Sequence, residues 1–264
     1  MTATLEGAGV ELAYDERGDG PPVVLVHGTA GTRAGWDSTR AALGQGFRTI
    51  AYDRRGCGQS GTPEDYRATT VPEHADDLAA VIRGLDAAPA LLCAQSFGAV
   101  TAVDLMLREP DLVRAAVLVE PAMLWMARVH GAEEASATRE AMQEGAQRAG
   151  AAGAIDAFLV HLGGDAVLDL IGPDELARAH ATPRSFAAEV AAVGNWSAPP
   201  RELRALDVPA IVVLGSESAP AWVEACETLA GMLPRAELRR LGRRHWPHLD
   251  DPAGVAAAVR DLAA

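Results

Sequence analysis

The chain of 264 residues contains no lysine, and all 23 of its basic residues are arginine. A protein without lysine cannot form a lysine Schiff base with a substrate or use a lysine to activate a serine. Cysteine is also scarce, because only Cys57, Cys93 and Cys226 are present, and their scattered positions form neither a disulfide framework nor a zinc-binding pattern. These absences fit chemistry that uses no metal and no cofactor, which we expect from the motifs described below.

Positive charge is in deficit as well, since 36 acidic residues outnumber the arginines and the net charge is −13. This balance disfavours nucleic acid and anionic membranes as partners. The sequence begins without a signal-peptide pattern and has no apolar run of membrane-spanning length. We expect a cytoplasmic protein whose partner is a small molecule. The sequence is compatible with a monomer or a homodimer.

Short apolar runs of strand character alternate with segments of helical length, which is typical of a parallel sheet with right-handed helical crossovers. Residues 1–16 alternate weakly and predict antiparallel edge strands. A capping-box pattern from Thr70 to Glu73 predicts the start of a helix. Further strands are predicted at residues 23–26, 48–52, 90–94, 115–119, 210–214 and 237–241. The fold class is therefore α/β.

Strand signals vanish between residues 121 and 204, where the pattern indicates about four short helices. The sequence therefore predicts a core formed by residues 1–120 and 205–264, with a helical cap of residues 121–204 inserted between two strands. The predicted breaks between the cap helices lie at Gly131, Gly153, Gly163–Gly164, Pro173 and Pro183.

A serine lies where the run Leu91–Ala94 ends and a helical segment begins, in the order Ala94-Gln95-Ser96-Phe97-Gly98. A tight turn between strand and helix needs small residues two positions before and after the serine, and it holds the hydroxyl beyond the strand end. This pentapeptide alone is a moderate signal for a nucleophilic serine.

Three other segments follow predicted strands: His27-Gly28-Thr29, the glycine-rich loop Asp53–Gly61, and His245–Pro252. Together with the serine turn, they make the chain resemble the α/β-hydrolase fold. The resemblance implies a mostly parallel, eight-stranded sheet flanked by helices, with a helical cap. It also implies that Ser96 is the nucleophile and His245 the base.

The same resemblance implies that the backbone N–H groups of Thr29 and Phe97 form the oxyanion hole. His248, three residues after His245, is the alternative base. His27 is interpreted as structural, as are Cys57 and the pair Arg54–Arg55.

The acid departs from the commonest pattern of this family, which places an aspartate where this chain has Ser218. Some members carry the acid after the strand that follows the serine helix, and Glu120 lies there. In this the chain resembles lactone hydrolases with a Ser-His-Glu triad. A carboxylate that ends a buried strand also needs a partner, which favours Glu120. Glu217 is the alternative acid.

These residues predict a serine hydrolase that cleaves a carboxylic ester or lactone of an apolar molecule. Carbon–carbon bond hydrolysis and acyl transfer would use the same groups, so the sequence leaves both open. A non-catalytic receptor of the same fold is also open: Ser218 favours it, whereas the intact triad weighs against it. The predicted substrate pocket contains Met123, Leu124, Trp125, Met126, Trp196 and Trp222.

Overall fold

The computed structural model describes residues 2–64 and 66–264. The strands are β1 (Ala3–Glu6), β2 (Glu11–Arg17), β3 (Pro22–Val26), β4 (Arg48–Tyr52), β5 (Ala90–Gln95), β6 (Val113–Val119), β7 (Ala210–Leu214) and β8 (Ala236–Arg240). The helices are α1 (Asp37–Leu43), α2 (Val71–Gly84), α3 (Phe97–Arg108), α4 (Gly131–Gly163), α5 (Val167–Ile171), α6 (Pro173–His180), α7 (Pro183–Asn195), α8 (Pro200–Ala205), α9 (Pro220–Met232), α10 (Pro247–Asp250) and α11 (Pro252–Ala263). No helix in this described part of the chain combines the length and apolar character that a bilayer crossing requires.

The eight strands form one sheet in the order β1-β2-β4-β3-β5-β6-β7-β8. The pairs β1–β2 and β2–β4 are antiparallel, and all the other pairs are parallel. This arrangement confirms the α/β class predicted from the alternating strand and helix patterns, and the mostly parallel, eight-stranded sheet that the family resemblance implies.

The central strands are apolar on both faces because helices cover the sheet from both sides. Val24 and Val26 of β3 belong to a cluster that includes residues of α2, α3 and α9. Val23 and Leu25, which point the other way, pack in a second cluster with residues of α1 and α11. Two continuous apolar layers therefore hold the sheet rigid beneath the loops at its edge.

The capping box predicted before α2 is present and explains why that helix begins where it does. The Thr70 hydroxyl accepts a hydrogen bond from the Glu73 backbone N–H, and the Glu73 carboxylate accepts one from the Thr70 N–H. Both N–H groups would otherwise lack a partner at the helix start. The prediction of this helix boundary is confirmed.

The register of the parallel strands brings their carboxyl ends to one edge of the sheet. Gln95 at the end of β5 lies opposite Val119 of β6, and Val119 lies opposite Val213 of β7. The next residues along β5 and β6 are Ser96 and Glu120. Side chains 24 positions apart in sequence therefore emerge side by side, which local sequence patterns alone do not specify.

Residues 120–209, all of which the structure describes, contain helices and no strand. The predicted break at Gly153 is wrong. The chain turns at Ala149–Gly150, inside the span of α4, and Gly150 has a positive φ of 64°. Gly153 instead lies against Gly145, where an added Cβ would collide with the opposite backbone. Its lack of a side chain lets the two halves of α4 pack closely.

Candidate active site

Ser96 occupies a strained turn between β5 and α3. Its φ of 52° is uncommon for any residue other than glycine, and such strain is found mainly at functional sites. A Cβ on Gly98 would collide with the carbonyl oxygens of Val26 and His27, so only glycine fits there. Within the described chain, Ser96 makes no capping hydrogen bond to α3, although serine is a preferred cap. Its hydroxyl is left for other partners.

Glu120 and His245 form a buried pair. Nδ1 of His245 lies 2.9 Å from Oε2 of Glu120, and the two side chains are 2% and 0% exposed. A carboxylate can only accept a hydrogen bond, so Nδ1 donates and carries the proton in the neutral ring. Nε2 of the neutral ring is then an acceptor. This is the tautomer that a general base requires.

The second oxygen of Glu120 is also hydrogen-bonded. Oε1 accepts from the backbone N–H of Gly215, 2.7 Å away, and from the hydroxyl of Ser218. These donors satisfy a carboxylate that would be costly to bury alone. Ser218 therefore occupies the usual position of the acid and holds Glu120. Glu217 lies elsewhere, with its carboxylate 3.1 Å from the exposed guanidinium of Arg243.

Gln95 and two tryptophans hold His245 from other directions. Nε2 of Gln95 donates to the backbone carbonyl of His245 over 3.1 Å, which links the serine turn to the histidine loop. The centroid of the His245 ring lies 4.2 Å from the Trp222 ring and 4.9 Å from the Trp246 ring. Gln95 is not among the residues predicted for the site, although a polar residue at the end of a buried strand beside the predicted nucleophile is a usable signal.

His27 and His248 lie near this site, but their contacts are those of structural residues. Nε2 of His27 accepts from the backbone N–H of Arg54 at 3.0 Å, and Nδ1 donates to the Gly28 carbonyl at 2.8 Å. The ring centroid of His248 lies 4.6 Å from that of Trp36, and its Nδ1 has no hydrogen-bond partner in the described part of the chain. Neither ring binds Glu120.

Burial keeps three histidines of the core neutral. It lowers the pKa of His248 to about 3, with a smaller effect of the nearby His245. Burial also lowers the pKa values of His27 and His74 well below 6.5, and the Arg54 guanidinium adds to both effects. Groups held neutral in this way cannot supply an ionisation near neutral pH while the protein is folded.

We expect the free energy of unfolding to fall as the pH drops below 6.5, the ordinary pKa of histidine. Below this pH the unfolded chain binds protons on histidines that stay neutral in the folded chain. Each such histidine lowers the free energy of unfolding by about 1.4 kcal/mol per pH unit. His248→Gln should reduce the loss between about pH 6.5 and pH 5 by about 2 kcal/mol in urea titrations. Equal pH slopes for wild type and variant would contradict this.

Thr29 and Phe97 lie where backbone N–H groups are available. Phe97 is the first residue of α3, and the N–H groups of a first helical turn have no partners within the helix. Thr29 lines a cavity of about 340 Å³ together with Gly28, Gln95, Leu159, Ile171 and Trp246. An added Cβ on Gly28 would come within 3.0 Å of the Ser96 Cβ, so this loop passes close to the serine.

None of the six residues predicted for the substrate pocket lines that cavity. Met123 and Met126 are buried in the main core. Trp125 and Trp196 form an edge-to-face pair with ring centroids 6.4 Å apart. Leu124 packs against the core, and Trp222 contacts His245. A role of these six residues in substrate binding stays a prediction.

Two residues outside the predicted set are fully buried next to this site: Arg54, on the loop after β4, and Glu189, on α7. From the sequence, Arg54 is interpreted as structural and Glu189 is not among the predicted site residues. No local signal connects them, because they lie 135 positions apart. Among residues 2–64 and 66–264, no group of three or more histidine, cysteine or acidic side chains is arranged to hold a metal ion.

The parallel sheet, the strained serine and the buried Glu–His pair together are features of one class, the hydrolases with an α/β fold. A model of the alpha/beta hydrolase family matches residues 23–258. The chain belongs to this family.

Comparison with individual proteins gives partial sequence matches and full-length structural ones. The chain is 37% identical over 112 residues to a 2-(acetamidomethylene)succinate hydrolase from Mesorhizobium japonicum. The aligned segment covers 42% of this chain and 39% of the relative. The aligned part of the chain spans less than half the length of this relative and of two other curated relatives that the chain matches.

Among solved structures, Est816, described as an N-acyl homoserine lactone degrading enzyme, is 26% identical with a TM-score of 0.79 and covers 98% of this chain and 99% of its own. A hydrolase from Pseudomonas aeruginosa PA01 is 23% identical with a TM-score of 0.83, and the alignment covers 99% of this chain and 98% of the other. The second likeness concerns the fold alone.

Proposed function

We propose that this protein is a cofactor-independent serine hydrolase that cleaves a carboxylic ester or lactone of an apolar small molecule through an acyl-enzyme. The observation that carries the proposal is the 2.9 Å contact between Glu120 and His245, at the same sheet edge as the strained Ser96. A buried carboxylate that fixes the tautomer of a histidine at the same sheet edge as a strained serine is the arrangement that activates a hydroxyl.

In the proposed reaction, Ser96 Oγ attacks the carbonyl carbon while Nε2 of His245 takes its proton. The negative charge on the carbonyl oxygen is stabilised by the N–H groups of Thr29 and Phe97. The bond to the leaving oxygen then breaks, and His245 returns the proton to that oxygen. A water molecule, deprotonated by His245, attacks the acyl-enzyme, and Ser96 leaves as the hydroxyl after His245 has protonated it.

The identity of the nucleophile limits the kinds of bond that the proposed enzyme cleaves. Epoxide opening and dehalogenation in this fold use an aspartate nucleophile, whereas this chain has Ser96, so the proposal does not extend to the epoxide hydrolase activity in one relative's name. The likeness to Est816 at 26% identity supports inclusion of lactones among the substrates. Part of the lining of the cavity beside Thr29 is aliphatic or aromatic, and this part supports an apolar acyl or alcohol group. Asp174, Glu175 and Arg178 also line the cavity and would contact polar atoms of the substrate.

A fluorophosphonate and a substrate panel test this proposal together. We expect stoichiometric phosphonylation of the wild-type protein, mapped to the peptide that contains Ser96. We also expect turnover of p-nitrophenyl esters of graded chain length, or of members of a lactone panel. The heat-denatured protein is the control, since an unfolded serine is not activated. A folded protein that is not labelled and turns over none of these compounds would support the receptor alternative and overturn the proposal.

A further inference from the structure

Arg54 holds the backbone that precedes the first oxyanion donor. Its guanidinium is fully buried, Nε donates to the His27 carbonyl over 2.9 Å, and a terminal nitrogen donates to the Gly28 carbonyl over 2.9 Å. Its own backbone N–H also binds the His27 ring. Both carbonyls belong to the peptide units directly before Thr29. The guanidinium therefore helps to set the direction in which the Thr29 N–H points.

The same guanidinium lies over the side chain of the second donor. Its central carbon is 4.6 Å from the centroid of the Phe97 ring, within the range of a cation–π contact. On another side, the ring of His74 meets Phe97 edge-on at 4.7 Å and lies 3.2 Å from a guanidinium nitrogen of Arg54. Arg54 is thus in contact with both segments whose N–H groups would bind the oxyanion.

The charge of Arg54 is matched by a residue of the inserted helices. Its two terminal nitrogens lie 2.8 and 2.9 Å from the two carboxylate oxygens of Glu189 on α7, whose side chain is also fully buried. Cys57 donates to the same carboxylate over 3.3 Å. A bidentate pair of this kind fixes orientation as well as distance, and removal of one partner leaves a buried charge unpaired.

We propose that Arg54 is a positioning residue for the oxyanion hole and that Glu189 makes this positioning depend on the docking of α7 onto the core. The proposal rests on the function proposed above, because it assigns these residues a part in the same reaction. Neither residue contacts the reacting atoms. They act through the peptide units at Gly28 and Thr29 and through the Phe97 ring.

The neighbouring Arg55 provides a matched control. It lies on the same loop, is 3% exposed, and forms a two-oxygen contact with Asp77 of α2 at 2.6 and 2.9 Å. Its partners include neither Thr29, Phe97 nor any residue of α7. Replacement of either arginine by lysine keeps the positive charge but loses the planar, forked donor geometry. The two substitutions therefore differ mainly in which backbone they release.

The experiment compares Arg54→Lys and Arg55→Lys in the full-length protein, with kinetics on a turned-over ester and thermal unfolding. For Arg54→Lys we expect kcat to fall about 100-fold with KM changed less than about threefold, as expected for loss of an interaction specific to the transition state. For Arg55→Lys we expect kcat to fall less than about threefold, with at least as large a loss of thermal stability.

A second measurement does not depend on hydrolysis. Amide hydrogen exchange at Thr29 and Phe97 should be faster in Arg54→Lys than in wild type and unchanged in Arg55→Lys. Glu189→Gln, which alters only the partner on α7, should speed exchange at the same two amides. If the wild type hydrolyses no ester or lactone, the proposed function fails. The exchange rates at Thr29 and Phe97 then still test whether Arg54 positions these two amides.

The proposal is overturned if Arg54→Lys leaves kcat and both amide exchange rates within about twofold of wild type, or if the two arginine variants lose activity in proportion to lost stability. Should Arg54→Lys not fold, the double variant Arg54→Met/Glu189→Met replaces the buried pair with apolar side chains, a change that is often neutral for stability. That variant should fold and show the same loss of kcat, and a wild-type kcat in it would also overturn the proposal.

Discussion

Ser96→Ala should lower kcat for ester or lactone hydrolysis by about 10⁴-fold or more, as loss of the nucleophile does in serine proteases. The substitution removes one oxygen from a side chain that makes no capping hydrogen bond in the described chain, so the turn and α3 should be preserved. We expect the melting temperature to stay within a few degrees of wild type. Steady-state kinetics at saturating substrate and thermal unfolding measure the two quantities.

The control for this prediction is Ser197→Ala, which removes a hydroxyl from an exposed position on the segment before α8. It should retain wild-type kcat and wild-type labelling by the fluorophosphonate, whereas Ser96→Ala should lose both. A Ser96→Ala protein with more than about one tenth of wild-type kcat would show that another group is the nucleophile.

Glu120→Gln should lower kcat by about 10³- to 10⁴-fold because it reverses the tautomer of His245. The backbone N–H of Gly215 can only donate, so the glutamine oxygen must take the place of Oε1 beside Gly215 and Ser218. The glutamine NH₂ group then faces Nδ1 of His245. Nδ1 becomes an acceptor, and the ring proton moves to Nε2, where it blocks uptake of the serine proton.

Two controls separate this effect from a general loss of structure. Ser218→Ala removes one of three hydrogen bonds to Glu120 and should cost about tenfold or less in kcat. Glu217→Gln, at an exposed carboxylate paired with Arg243, should be silent. Comparable losses in Glu120→Gln and Ser218→Ala, or a large loss in Glu217→Gln, would contradict Glu120 as the acid.

The positions of the main strands and helices could be predicted because each depends on a local pattern. A buried strand such as β3 is apolar at every position, and α2 begins at a capping box contained within Thr70–Glu73. The turn at Ser96 was likewise visible, since the small residues that it needs lie two positions away on either side. Steric and hydrogen-bonding requirements of this kind involve only residues within a few positions of one another, so the sequence shows them directly.

The helices between β6 and β7 were predicted less well. Glycine in this segment suggested a break at Gly153, but a glycine inside a helix can also serve close packing, and only the partner Gly145 distinguishes the two. The six predicted pocket residues illustrate the same difficulty. Their apolar character was evident, whereas the contacts that bury Met123 in the core and pair Trp125 with Trp196 come from distant elements.

The sequence by itself determined the α/β fold class and the turn that presents Ser96. The family resemblance predicted Glu120 as the acid for His245, 125 positions away, but only the tertiary structure brings the two side chains into contact. It alone encloses Arg54 between the loop at Gly28 and Glu189 of α7. The physical reason is the range of the interactions. Backbone conformation depends mainly on adjacent residues. The partner of a buried charge depends instead on strand register and helix packing, which bring together segments that share no local pattern.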